Sequence, residues 1–141
     1  MAAVWASAIG ESVVAGIFGI FAGFWLSCAA LVLGLTHGWY GITTADVTAT
    51  VELFLIAWLV VIVLLTLGTL RLPLAFTLLF GLIDLSLLAT LLGPVNTSVT
   101  LNHVGGYLAL AFAAVGAYLF LDACSQETGG VALPLGPAIR H

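Results

Sequence analysis

The sequence predicts an all-α membrane protein, a polytopic bundle of four transmembrane helices. Three observations predict it: 63% of the 141 residues are hydrophobic, only 6% are charged, and the apolar residues gather into four long runs. A soluble domain carries about 25% charged residues, so this chain cannot build a water-facing surface around itself. A hydrocarbon core about 30 Å thick calls for roughly 20 apolar residues at helical rise, and each run is close to that length. In lipid every backbone N–H and C=O must be satisfied within the protein, which leaves only helices and closed barrels. The runs do not alternate apolar with polar residues as barrel strands do, so they are helices.

In chain order the predicted helices cover residues 13–35, 51–70, 72–92 and 103–121, followed by a short C-terminal tail over 122–141, all in one transmembrane domain, 1–141. Met1 to Glu11 holds no positive charge ahead of its apolar stretch, so a cleaved secretory signal is not expected. In the first link Trp39 and Tyr40 suit an aromatic belt at headgroup level. Arg71 and Pro73 mark a tight turn between antiparallel second and third helices, with Pro73 in a first turn, where a missing N–H costs no helical hydrogen bond. Gly93, Pro94, Val95 and Asn96 open the last link, and the Gly- and Pro-rich tail from Asp122 onward is expected to be non-helical.

Charge sets further limits. The chain has no lysine, and Arg71 and Arg140 are its only strong cations against six acidic residues. Binding a nucleic-acid backbone requires many cations to displace counterions, so that class is excluded. Glu11, Asp46, Glu52, Asp122 and Glu127 stand at the edges of apolar runs, as boundary markers, and Glu52 complements the N-terminal end of the second helix dipole. Four crossings put the turn at Arg71 and the tail at Arg140 on the same side. The positive-inside rule makes that side the cytoplasm, with both termini there. Cys28 and Cys124 lack the regular spacing of a disulfide framework or metal site and read as small apolar thiols. No nucleophile with a base, phosphate-cradling loop or carboxylate cluster is evident, so neither enzyme activity nor a metal or other cofactor is expected.

Small residues suggest where helices approach closely: Gly16, Gly19 and Gly23 in the first helix, and Ala109, Ala113, Gly116 and Ala117 in the fourth. In lipid, packing between such faces drives association. Asp84 is the most informative residue. A charge in the middle of an apolar helix costs at least about 2.5 kcal/mol on insertion scales, so Asp84 is not expected to face lipid. Pro73, Thr77, Gly81 and Asp84 share one helical face, with Ser86 and Thr90 on the opposite one. Two readings of Asp84 stay open: it borders a substrate path, or it is protonated and hydrogen-bonded to a neighbouring helix. His37 and His103, at the outer ends of their helices, have the placement a two-histidine haem site would need, though interfacial histidines are usually only amphipathic side chains.

With the helices placed, Gly23-Phe24-Trp25-Leu26-Ser27 resembles the FWL signature of the acetate uptake transporter family, the YaaH-like acetate and succinate permeases. The likeness continues in order. Gly10-Glu11-Ser12 stands where that family has Gly-Asn-Thr, and Leu67-Gly68-Thr69-Leu70-Arg71 resembles its glycine-threonine-leucine-lysine helix end. Gly105-Gly106-Tyr107 and Tyr118-Leu119 are similar to parts of its last helix, and Leu133-Pro134-Leu135-Gly136 to its C-terminal signature.

The resemblance implies a six-helix protomer, usually hexameric, that moves acetate and related small monocarboxylates across the cytoplasmic membrane with proton linkage. The four helices here correspond to the last four of that fold. Its first two helices and its Asn-Pro-Ala-Pro-Leu-Gly motif have no counterpart, so the chain reads as an N-terminally truncated copy. The family's apolar constriction maps onto Phe21, where tyrosine is common, and onto Ile83 beside Asp84. Thr77, Gly81 and Asp84, on the polar face of the third helix, and Trp25 of the signature segment are expected to border the path. The expected partners are therefore a small monocarboxylate, membrane lipid and further copies of the chain. Two other classes remain as alternatives: a haem-binding membrane redox subunit using His37 and His103, and a non-transporting membrane interaction module.

Overall fold

The computed structural model describes residues 4, 7, 8, 10, 12–95 and 98–140, so Glu11 and Asn96, both used as boundary residues above, lie outside the described residues. Four helices follow one another: α1 (Ser12–Thr36), α2 (Val47–Gly68), α3 (Leu74–Val95) and α4 (Val99–Glu127), with a single 3-10 turn, Thr69–Arg71, between α2 and α3. No strand occurs among the described residues, and Pro73 and Ala138 form an isolated antiparallel bridge. Each helix contains a segment long and apolar enough to cross a membrane, with mean hydropathy 2.1, 2.8, 2.1 and 1.9 in chain order. The all-α class read from the sequence is the class observed. The chain divides into two compact units, Met1–Thr50 and Val51–His141.

In the first unit α1 closes with a Schellman cap, in which two amides beyond the helix satisfy carbonyls of its last turn. Trp39 N–H donates to Gly34 O (2.9 Å) and Gly38 N–H to Leu35 O (3.4 Å). Gly38 takes the left-handed conformation this cap needs (φ 68°). Tyr40 then folds back along the helix, its hydroxyl donating to Ala30 O (2.9 Å). Gly34 makes room for it, since a Cβ there would overlap the tyrosine ring. Next, Asp46 caps α2: its carbonyl accepts Thr50 N–H (3.0 Å), and its Oδ2 accepts the Thr43 hydroxyl (2.6 Å). The helix therefore starts four residues before the expected position 51. Glu52 falls in the second turn, and the first turn holds no acidic residue. The dipole-facing position expected of Glu52 belongs to Asp46, just outside the helix.

In the second unit the turn after α2 is held by hydroxyls. Buried Thr69 donates to Thr66 O (2.8 Å), and Thr77, one turn into α3, donates back to Thr69 O (3.0 Å). Leu72 is extended (φ −89°, ψ 166°), as the residue before a proline prefers, and α3 begins directly after Pro73.

The closest helix pairing is α3 with α4. Ser86 is buried and donates to Gly105 O (2.8 Å). A Cβ on Gly105 would lie 2.8 Å from Thr90 Oγ1 and 3.4 Å from Ser86 O, while one on Gly93 would strike the Asn102 side chain. The close approach thus runs through Gly93 and Gly105. Of the small-residue stripe of α4, Ala113 and Ala117 are exposed in the single chain, which leaves them free for the other expected use of such a face, packing between subunits.

Both ends of the last link also differ from expectation. Helix α3 continues through Pro94 to Val95, and Ser98 caps α4 by accepting Leu101 N–H on its hydroxyl (3.3 Å). At the far end α4 runs on to Glu127, so the helix includes the Asp122 segment expected to be non-helical. The reason is that these polar turns have partners. Asp122 is only 4% exposed, accepting Leu133 N–H on Oδ1 (2.7 Å) and Gln126 Nε2 on Oδ2 (2.8 Å). Asp122 is therefore a buried anchor for the returning tail rather than a boundary marker.

Gly105→Leu is expected to destabilise the protein by about 1–3 kcal/mol through overpacking against α3. The readout is the midpoint of unfolding in mixed micelles. Gly106→Leu is the control, because a Cβ at Gly106 meets nothing within 4 Å. Equal midpoints for the two variants would contradict this account of the helix contact.

Candidate functional site

Helix α3 carries polar side chains on two sides, and each side has a different partner. Ser86 and Thr90 lie on the face packed against α4. Asp84 lies on the other, where its Oδ2 is 2.6 Å from the hydroxyl oxygen of Thr66 on α2. Residues 84 and 86 are about 200° apart on a helix with 3.6 residues per turn, so the two polar sides serve two neighbouring helices. Asp84 is bonded across to another helix, as the second sequence reading anticipated. This leaves the first reading open, because the bond uses only one carboxyl oxygen.

The hydroxyl of Thr66 has two neighbours: Asp84 Oδ2 at 2.6 Å and, within its own helix, the carbonyl of Ile62 at 3.0 Å. A hydroxyl has one proton to give and can also accept, so the arrangement suits both states of the acid. With Asp84 ionised, Thr66 donates to the carboxylate. With Asp84 protonated, the acid donates to Thr66, and Thr66 donates to Ile62 O. A proton can thus arrive at or leave Asp84 with only a turn of the Thr66 hydroxyl. Asp84 Oδ1 is buried and has no hydrogen-bond partner among the described residues.

Around this pair the packing is apolar. Ile62, Phe80 and Ile83 are buried core residues of the same unit. Gly81, one turn before Asp84 on the same face, opens onto free space, since a Cβ there meets nothing within 4 Å. Thr77, placed on the same stripe by the sequence, spends its hydroxyl on Thr69 O and helps close the α2–α3 turn. Asp84, Gly81 and Ile83 therefore fall within one turn of α3, with Thr77 lower on the same helix.

Phe21 and Trp25 belong to α1 in the first unit, where Trp25 is 61% exposed and meets Phe24 edge to face at 5.1 Å. His37, in the same unit, sits 2.9 Å from Leu33 O through Nδ1 and stacks on Trp39 at 5.3 Å. His103 is exposed in α4. Among the described residues no three His, Cys, Asp or Glu side chains gather as metal ligands would.

Thr66 was not singled out from the sequence. A signal was available: it is the only hydroxyl residue between Val51 and Gly68, and the tight turn at Arg71 makes its helix the antiparallel neighbour of the one bearing Asp84.

Four helices of membrane length, with an acid bridged between two of them inside the span, define a multi-pass membrane protein with a polar element in its apolar interior. The sequence matches the GPR1/FUN34/yaaH family over residues 1–134, and the chain belongs to that family. The family is associated with membrane transport rather than catalysis. No curated protein and no solved structure shows a significant match to the chain.

The Thr66–Asp84 bond is expected to contribute about 0.5 to 1.7 kcal/mol of coupling, the range of interhelical side-chain bonds in membranes. A double-mutant cycle of Thr66→Val and Asp84→Leu, whose side chain offers no acceptor, read as unfolding free energy in bicelles, measures it. Strictly additive effects would mean that the two side chains do not interact.

Proposed function

We propose that the protein transports acetate and related small monocarboxylates across the cytoplasmic membrane with proton linkage, and that Asp84 is the group that exchanges the proton. Membership of a membrane transport family supports the class. The observation that carries the site is Asp84 itself: an acid within an apolar span, hydrogen-bonded to Thr66 through one oxygen and, among the described residues, unpartnered at the other. Ionisable groups inside a membrane are costly, and those that persist commonly serve ion or proton pathways.

The chemistry favours a weak acid as cargo. A bare carboxylate entering an apolar passage must shed water at large cost, whereas an acid accompanied by its proton enters as a neutral molecule. Asp84 Oδ1 is the atom placed to receive or return that proton, and Thr66 keeps Oδ2 satisfied in either state. Ile83, next in sequence and buried, supplies apolar surface beside it, and Gly81, one turn before Asp84, adds no side chain to that face, where a Cβ would meet nothing within 4 Å. Phe21 and Trp25 enter this reading through the family resemblance alone. So does assembly into a homo-oligomer, a hexamer in that resemblance. The cytoplasmic placement of both termini rests on Arg71 and Arg140.

Uptake of labelled acetate into proteoliposomes under an imposed inward proton gradient tests the proposal. Asp84→Asn preserves size but cannot exchange a proton. It is expected to lower uptake about a hundredfold, the low end of what a positioned proton-transfer group contributes. The flux that remains should no longer rise with the imposed gradient, while Thr66→Ser should retain most of the activity. Asp84→Asn transporting at the parent rate with its gradient response intact would remove Asp84 from the mechanism. No uptake above empty vesicles by the parent protein would overturn the transport reading.

A further inference from the structure

The C-terminal residues form a strap that returns over the end of the second unit. Beyond α4, Gly129 turns the chain with a left-handed φ of 79°. Gly130 N–H donates to Ser125 O (2.7 Å), and Ser125 Oγ to Val131 O (2.9 Å). Leu133 N–H is fixed on the buried Asp122, and the Tyr118 hydroxyl donates to Pro134 O (3.1 Å). The strap then runs antiparallel to the α2–α3 turn. Ala75 N–H donates to Leu135 O (3.0 Å), Ala138 bridges Pro73, and Arg140 N–H donates to Leu70 O (2.9 Å). The first of these bonds satisfies an amide that the first turn of α3 would otherwise leave unpaired.

This pairing has two consequences at one place. It contributes Pro134, Leu135 and Gly136 to an open groove of about 480 Å³ whose other walls include Leu74 and Leu78 of α3 and Val115 and Tyr118 of α4. It also brings the backbone of Arg140 alongside Leu70, the residue before Arg71, so the only two strong cations of a chain with net charge −4 are neighbours along the backbone, Arg71 three residues before Leu74 and Arg140 four residues after Gly136 of the groove lining. Both arginines are exposed, and no ion pair involves either among the described residues. The Asp122 carboxylate at this end is already committed to Leu133 N–H and Gln126.

From these features we infer that the groove holds an acyl chain of an anionic phospholipid whose phosphate sits on Arg71 and Arg140. The groove offers a polar ligand nothing, because the Tyr118 hydroxyl, its one polar side-chain group, gives its proton to Pro134 O. Its helical walls, from Leu74 to Leu78 and from Ala114 to Tyr118, belong to segments of membrane-spanning length, Leu74–Gly93 and Val99–Gln126, so an acyl chain can enter it from the hydrocarbon side. The arginines stand at the helix ends, at headgroup level. Guanidinium groups suit phosphate by bidentate hydrogen bonding, and anionic lipid attracts basic side chains at a membrane surface. The site is independent of Asp84 and of the transport reading.

Native mass spectrometry of the purified full chain, titrated with phosphatidylglycerol or phosphatidylcholine of matched acyl chains, tests the inference. One phosphatidylglycerol per chain should be retained in preference to phosphatidylcholine. Arg71→Gln with Arg140→Gln should weaken that retention about thirtyfold, as expected for two basic groups at an anionic surface, and the paired lysine substitutions should restore most of it. Ala114→Phe, which fills the groove without changing charge, should also abolish retention, with helicity by circular dichroism confirming that each variant is folded. Equal retention of the two lipids, or unchanged binding in Ala114→Phe, would overturn the inference. So would glycerol phosphate competing as well as the whole lipid, or cross-links from Leu78→Cys showing a second copy seated in the groove.

Discussion

Lipid offers no hydrogen bonds, so every polar group that enters it must find its partner within the protein. In this chain that requirement concentrates on α3, which carries an acid and several hydroxyls into the apolar interior. The solution is to place α3 between two neighbours and divide its polar groups between them. Ser86 bonds to the α4 backbone at Gly105, and Asp84 bonds to Thr66 on α2. Much else follows from satisfying these two contacts. Gly105 lacks a side chain because Thr90 and the Ser86 carbonyl occupy that space. The α2–α3 turn is tight because Thr69 and Thr77 close it with their own hydroxyls, which sets the register that brings residue 66 opposite residue 84.

The two contacts differ in a way that bears on function. The Ser86 bond is to a carbonyl, which can only accept, so it is fixed in direction and suits a structural joint. The Asp84 contact joins two groups that can each donate or accept a hydrogen bond, and Ile62 O offers the Thr66 hydroxyl a second acceptor. The same constraint that makes an intramembrane acid expensive has therefore been met by a partner that tolerates both of its protonation states. A carboxyl held in this way can change charge without leaving the Thr66 hydroxyl oxygen without a partner.

At the opposite extreme of polarity, the ends of the helices are managed by short return segments. Tyr40 folds over Gly34 at the end of α1, and the C-terminal strap bonds Asp122, Ala75 and Leu70. Both devices satisfy groups that a helix end leaves open. The strap has the larger effect, because it extends α4 by giving its last polar turns buried partners and collects both arginines at one edge.

What the sequence determined was the set of features that depend on solvent and length. Apolar runs of bilayer length must be helices, so the helix number and class were legible. So was the placement of Asp84, because a charge there is conspicuous against hydrocarbon. The family resemblance also rested on motifs readable in order, from Phe24-Trp25-Leu26 to Leu133-Pro134-Leu135-Gly136. Only the tertiary structure decided the partners. Thr66 is an unremarked hydroxyl until the turn brings it to Asp84, and Asp122 looks like a boundary residue until the strap buries it. Gly93 and Gly105 acquire their role only through the side chains opposite them. Hydropathy is a sum over a chain's own residues and can be read along it, whereas a hydrogen bond depends on angle and distance between residues that sequence separates.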